Sequence, residues 1–226
     1  MALPLSRAAL VRVAPFALFM LLLALRGSLP TDGSGGIDPR LVYGASVLLV
    51  GGVLWCYRRE YGELAIQLLP TAKELLLAMV VGFAVFGLWI VLDAPWMRLG
   101  DATAAFRPVD AQGQLQWPLI TARWIGATLL VPVMEELFWR SFLMRWIERP
   151  QFESVPPRQV GLKAIALSTF VFMLAHTLWL AAIVAGLAYA WLYVRTGKLW
   201  AAVIAHAMTN GALGVWVVMT GNWAFW

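Results

Sequence analysis

The chain has 226 residues, of which 62% are hydrophobic and only 13% charged, with a mean hydropathy of +0.76. Soluble domains are only about half apolar, so this composition excludes an ordinary soluble fold and calls for an all-α, polytopic transmembrane helical bundle. The net charge of +5 sits at the ends of apolar segments and not in a basic polar run, which reads as membrane topology and argues against a nucleic-acid partner.

Arg7 and Arg12 lead into the apolar run Val13–Leu25. Leu23-Ala24-Leu25-Arg26-Gly27 lacks the small-x-small pattern of a signal-peptide cleavage site, so the run is expected to be a retained first span, counted from Ala8. Thr31–Arg40 reads as a loop, Leu41–Tyr57 as a second span and Tyr61–Thr71 as an interfacial segment broken at Pro70. The third span is Lys73–Leu92. Asp93–Trp117, with Asp93, Arg98, Asp101, Arg107 and Asp110, is expected to be an extramembrane loop with a short surface helix. Pro118–Ile147 is a long fourth span, and the proline-rich Glu148–Gly161 a loop. Lys163–Leu180, Ala181–Val194 and Leu199–Met219 complete seven spans, or eight if the N-terminal part is more finely divided. One membrane domain covers residues 1–226, with N-terminal spans over 8–92 and a motif-bearing core over 118–219. Cys56 is the single cysteine, so no internal disulfide can form, and it is expected to pack as a small hydrophobe. Tryptophans flank the spans at Trp55, Trp96, Trp117, Trp146 and Trp200, as interfacial belts require. Eleven Lys and Arg fall at one set of span ends, from Arg7 and Arg12 to Arg195 and Lys198, and five at the other, which places the N-terminus inside.

The fourth span holds Glu135, Glu136 and Arg140 within an apolar run. A charge at membrane depth costs about 3 kcal/mol on insertion scales, so these groups must be paired, hydrated or used. Both histidines, His176 and His206, also lie in apolar runs. A single buried histidine is commonly only a packing residue, but having every histidine at membrane depth beside two carboxylates points to a site. At 1.5 Å per residue, Glu135 lies about 15 Å from Arg145, His176 about 20 Å from Lys163, and His206 and Asn210 about 12 and 18 Å from Lys198. All are counted from the same side of the membrane, so three spans bring polar groups to one slab. Glu136 and Arg140 are i,i+4 and can pair. Glu135 points about 100° away and is free to face His176 or His206. Pro132 removes a backbone donor just before the pair. His206 and Asn210 share a face, either as an interhelical polar clamp or as two donors to an oxyanion.

A carboxylate beside an imidazole can deprotonate water as a general base. Alternatively Glu135, His176 and His206 could hold a divalent metal such as zinc; HExxH is absent, and residue types alone do not separate the two. A proton-coupled transporter using the same groups is a further reading, weakened by the lack of paired broken helices or repeat halves.

At these positions the chain resembles the CAAX-protease and bacteriocin-processing family of type II prenyl endopeptidase-like intramembrane proteases. The motifs, in order, are Glu135-Glu136-Leu137-Phe138-Trp139-Arg140, Phe172 to His176, and His206 to Asn210, and the resemblance covers about Leu119–Gly214. The surroundings of Glu135–Ile147 look like the bacterial subgroup associated with exosortase protein sorting. The resemblance implies an endopeptidase of the bacterial inner membrane acting on a membrane-anchored protein or peptide that carries a CaaX-like lipidated end. Glu135 with His176 would activate water, and His206 with Asn210 would bind the oxyanion. Glu136, Arg140 and Phe172 would be supporting. Some family members act as immunity proteins, so a non-catalytic scaffold of the same fold is the alternative.

Overall fold

The computed structural model describes residues 6–30, 36, 38–100 and 106–226. Residues 31–35 and 37 of the expected first loop, and Asp101, lie outside the described residues. Seven α-helices are present among the described residues: α1 (Arg7–Ser28), α2 (Pro39–Tyr57), α3 (Ala72–Val91), α4 (Trp117–Glu148), α5 (Leu162–Leu174), α6 (Trp179–Thr196) and α7 (Leu199–Thr220). Six are long and apolar enough to cross a membrane, and α5 is a shorter apolar helix. The protein is a multi-pass helical membrane protein.

Local chemistry sets the helix ends. Ser6 accepts from the Ala9 amide at the start of α1, and Asp38 from Arg40 with Pro39 in the first turn of α2. Thr71 and Glu74 form a reciprocal capping box on α3. α6 and α7 each stop at a left-handed glycine, Gly197 (φ 73°) and Gly221 (φ 69°), where a side chain would be strained.

Lipid offers helices no hydrophobic drive to associate, so close van der Waals contact must do it. The α3–α7 seam is built that way. Ala78, Gly82 and Val85 are the buried residues of α3, and a Cβ on Gly82 would lie 2.5 Å from the Ala205 carbonyl oxygen of α7. α7 also packs on α6 and α4, which makes it the central strut.

Two sequence expectations are corrected. The fifth helix ends at Leu174, not Leu180, and α6 begins at Trp179. Residues 175–178 form a turn whose Thr177 carbonyl accepts from Leu99 and whose Leu178 bridges to Arg98. The turn carries His176 and Thr177 but no Gly, Pro, Asn or Asp, and its amides at 175 and 176 bond back to the Phe172 and Met173 carbonyls. At 13 residues α5 is too short to span alone, since a span needs about 20. Cys56 is exposed on the outer surface of the bundle, not packed inside; in an apolar solvent a thiol gains nothing from burial. The loop expected over Asp93–Trp117 carries, among its described residues, the short helical turn Pro95–Met97. The loop buries Phe106 against Tyr43 and Trp226.

The basic end of the bundle is fastened by a buried ion pair. Arg12 donates twice to Glu63, Nε to Oε1 and Nη2 to Oε2, each at 2.7 Å. The Ser141 hydroxyl donates to the same carboxylate, and Arg145 reaches Ser141 and the Val155 carbonyl. α1, the 61–64 segment and α4 are thereby tied together. Burial alone would raise the Glu63 carboxyl, but hydrogen bonds from Arg12 and Ser141 and the Arg12 charge hold it below its ordinary value. Its stabilisation is therefore complete above the ordinary carboxyl pKa and is lost as pH falls through the lowered one. Removing one partner of a buried pair strands the other charge, at a cost of about 3–5 kcal/mol. Glu63→Ala should therefore lower the thermal unfolding midpoint in detergent strongly, whereas the double change Arg12→Met with Glu63→Leu should recover most of the loss.

Candidate active site

α4 is not a uniform α-helix. Two stretches, Gly126–Leu130 and Leu137–Leu143, are wound in π register. In the first, the Val131 amide reaches back to the Gly126 carbonyl, an i→i+5 bond. The Ala127 carbonyl would by the same rule take the amide of residue 132, but that residue is Pro132 and has none. Asn210 of α7 fills the gap, its Nδ2 donating to the Ala127 oxygen at 2.9 Å. The Trp124 indole donates to the Gly211 carbonyl beside it. Proline thus acts here by freeing a carbonyl for another helix. In the second stretch the Met144 amide bonds the Trp139 carbonyl, again i→i+5, directly beside Arg140. Such wide turns inside α-helices are frequently found at functional sites.

Between these stretches lies Glu136, 0% exposed. The pairing with Arg140 expected from spacing is present, Nε to Oε2 at 3.2 Å. The other carboxylate oxygen meets His206 Nδ1 at 2.9 Å. Of the two histidines that the sequence left open to Glu135, His206 is thus taken by Glu136. The reason is the place of α7, which packs against the same face of α4 that carries Glu136 and Asn210's partner Ala127. A carboxylate accepts, so Nδ1 carries the proton and the Nε2 edge of His206 is free. The Tyr189 ring stacks on His206 with centroids 5.0 Å apart and planes 18° apart. Its hydroxyl donates to Thr209 at 2.7 Å, and Thr209 donates to the Gly82 carbonyl at 2.8 Å. The ring of His206 is thus held from both sides.

Arg140 is held in turn. Nη2 donates to the Gly186 carbonyl at 3.2 Å, and the guanidinium lies 4.8 Å from the centre of the Phe172 ring. Arg140 Nη1 and Glu136 Oε2 make no hydrogen bond among the described residues, so the pair keeps polar capacity in reserve.

Glu135 faces the neighbouring side and accepts from the Trp139 indole at 3.3 Å. Trp139 stands edge-on to Phe172, 5.5 Å between centroids, and Phe172 lies 4.3 Å from the His176 ring. His176 Nδ1 sits 2.8 Å from the Phe172 carbonyl. A carbonyl only accepts, so Nδ1 is the N–H and Nε2 carries the free lone pair of the neutral ring. The Glu135 charge, His206 and Arg140 all lie within Coulombic reach of that ring. His176 occupies the 175–178 turn beyond α5, not a helix interior. Non-helical backbone at membrane depth is tolerated where it is buried in protein or lines a watered cavity.

Glu135, Glu136, Arg140, Phe172, His176 and His206 are thus joined in one run of contacts, directly or through Trp139, whereas Asn210 is bonded to the Ala127 carbonyl further along α4. Sequence reading missed Tyr189, Thr209 and Gly82. A hydroxyl at Thr209, three residues after His206 in an apolar run, was the only available signal, and nothing in the run around Tyr189 distinguished it. No group of three His, Cys, Asp or Glu side chains among the described residues converges as ligands of one metal ion. Glu135, His176 and His206 do not form such a cage.

Fold and site together define a multi-pass membrane protein whose polar centre is built from carboxylates, imidazoles and an amide on separate helices. Residues 116–212 match the family model described as type II CAAX prenyl endopeptidase Rce1-like. That stretch, somewhat under half of the chain, contains all three motifs and bears out the resemblance to the CAAX-protease family. No curated protein and no solved structure matches the chain.

Asn210→Ala leaves the Ala127 carbonyl unsatisfied, and an orphaned buried polar group costs about 1–3 kcal/mol. It should lower the unfolding midpoint measurably. Tyr189→Phe leaves Thr209 bonded to Gly82 and should cost only about 1 kcal/mol in the same assay.

Proposed function

We propose that the protein is an intramembrane endopeptidase that hydrolyses a peptide bond near the end of a membrane-anchored, lipidated protein. The observation that carries this reading is the buried contact of Glu136 with His206, next to a second carboxylate, Glu135, and a second imidazole, His176, joined to one another through Trp139 and Phe172. Two carboxylates and two imidazoles with different partners can divide the work of acyl transfer.

Glu135, partly exposed to the site and held by a single indole hydrogen bond, is the general base for water, with the His176 Nε2 lone pair sharing the proton. The hydroxide attacks the scissile carbonyl carbon. The carbonyl oxygen becomes an oxyanion, for which the second N–H of Asn210 is one donor and the Nε2–H of His206, as an imidazolium held against Glu136 in the reacting state, is the other. Glu136 fixes the orientation of His206, and Arg140 balances the Glu136 charge. The intermediate then collapses, and the abstracted proton goes to the leaving amine. A bacterial inner-membrane location, with the basic end of the bundle inside, belongs to the same proposal; Lys and Arg bias supports it.

The test is purified protein incubated with prenylated and unprenylated peptides bearing CaaX-like ends, with and without chelator. Wild type should cleave the lipidated peptides. Glu135→Gln and His176→Ala should each lower the rate by about 10²-fold or more, the usual size of a lost general base, while unfolding midpoints stay near wild type. Cleavage that survives both substitutions would refute the mechanism. Peptide binding without cleavage by wild type would favour the non-catalytic scaffold.

A further inference from the structure

A second site lies on the far side of α6 from the catalytic centre. Leu187, Trp191, Val194 and Arg195 follow i, i+4, i+7, i+8 and project from one face of that helix, whereas Gly186, Tyr189 and Tyr193 face inward. α3 and α5 both pack on α6 and flank that outer face. The result is a cleft of about 1090 Å³. Leu77 of α3 and Ile165 of α5 wall it, and Leu187 and Trp191 floor it. Leu162, at its mouth, is 84% exposed.

The cleft is polarised along its length. The apolar floor begins at Leu187, and eight residues later, about 12 Å along the helix, comes Arg195. Lys73 and Arg158 complete a rim of three cations. The single acidic lining residue, Glu74, is already taken by Lys198 at 2.8 Å. Arg158 is laid across the end of α6, its Nε 3.6 Å from where a Cβ on Gly197 would stand. Arg195 lies 5.6 Å from the centre of the Trp191 ring. All three rim residues sit at the end of the bundle that carries the excess of Lys and Arg.

We propose that this cleft binds one anionic phospholipid. The phosphate is held by Lys73, Arg158 and Arg195, and an acyl chain runs inward over Trp191 and Leu187. The match is of charge and of order: cations at the interfacial mouth and hydrocarbon below, the sequence of groups met on descending a phospholipid. Cations serving only the C-terminal dipole of α6 would need neither an apolar floor nor Lys73, which comes from a different helix.

Native mass spectrometry of the detergent-released protein, equilibrated with equal amounts of phosphatidylglycerol and phosphatidylcholine, tests this. Wild type should retain one phosphatidylglycerol in clear preference. Each cation near an anionic headgroup is worth about fivefold in affinity, so K73Q/R158Q/R195Q should lose retention by well over tenfold with its unfolding midpoint unchanged. Trp191→Ala should weaken retention without removing the headgroup preference. Inorganic phosphate and glycerophosphoglycerol, which lack chains, should not displace the lipid; displacement by either would reduce the site to an anion site and overturn the proposal. Equal retention of both lipids by wild type would also overturn it, whatever the variants do. Should the triple variant fail to fold, R158Q/R195Q alone should still lower retention by more than tenfold, and unchanged retention there would overturn the proposal.

Discussion

A fully buried carboxylate, Glu136, touching Arg140 on its own helix and His206 on another, is the constraint around which the rest of this bundle is arranged. In a low-dielectric interior a lone carboxylate is prohibitively costly, and pairing makes it tolerable only when the partners are themselves fixed. Each partner is. Arg140 is tied to the Gly186 carbonyl and lies over Phe172, and His206 is backed by Tyr189. Tyr189 is held through Thr209 to Gly82, so the chain of contacts passes from α4 through α6 and α7 to α3. Gly82 has no room for a side chain, which lets α3 come close enough for its carbonyl to take part.

This rigidity gives the neighbouring Glu135 its character. Two adjacent carboxylates on one helix cannot both be deep in the same pairing. Glu136 takes the ionic contacts, and Glu135 is left with one indole donor and a histidine nearby. A carboxylate engaged by a guanidinium and an imidazole N–H is a poor base, whereas one with spare lone pairs is available for a proton. The difference between the two acids is thus one of surroundings, created by the helix that each happens to face.

Much of this was legible in the sequence. Apolar runs and their charged ends located most of the helices, and the i,i+4 spacing of Glu136 and Arg140 foretold their pair. Counting residues from the charged ends brought Glu135, His176, His206 and Asn210 to one depth. What could not be read was which glutamate would meet which histidine, because spacing fixes a side chain's direction on its own helix but not the helix packed against it. The turn at 175–178 was hidden for a related reason: it is braced by Leu99 on the Thr177 carbonyl and by the bridge from Arg98 to Leu178, which no local pattern reveals. Arg12, read as a topology marker, is a buried partner of Glu63, and only tertiary proximity of a segment 51 residues away shows it.

The two wide turns of α4 carry a consequence for how such a helix tolerates change. Each residue added to or taken from a helix rotates everything beyond it by about 100°. A π turn accommodates one extra residue by bulging, so the phase of the flanking segments is preserved. Removing one residue between Gly126 and Val131 would close that bulge to an ordinary α turn, with the Val131 amide still on the Gly126 carbonyl and the two halves of α4 still in phase. The same deletion in a regular α-helical stretch, between Trp117 and Trp124, would rotate one flank against the other by about 100°. Loss of a single residue should therefore be better tolerated in the wide turn than in the regular part of the helix.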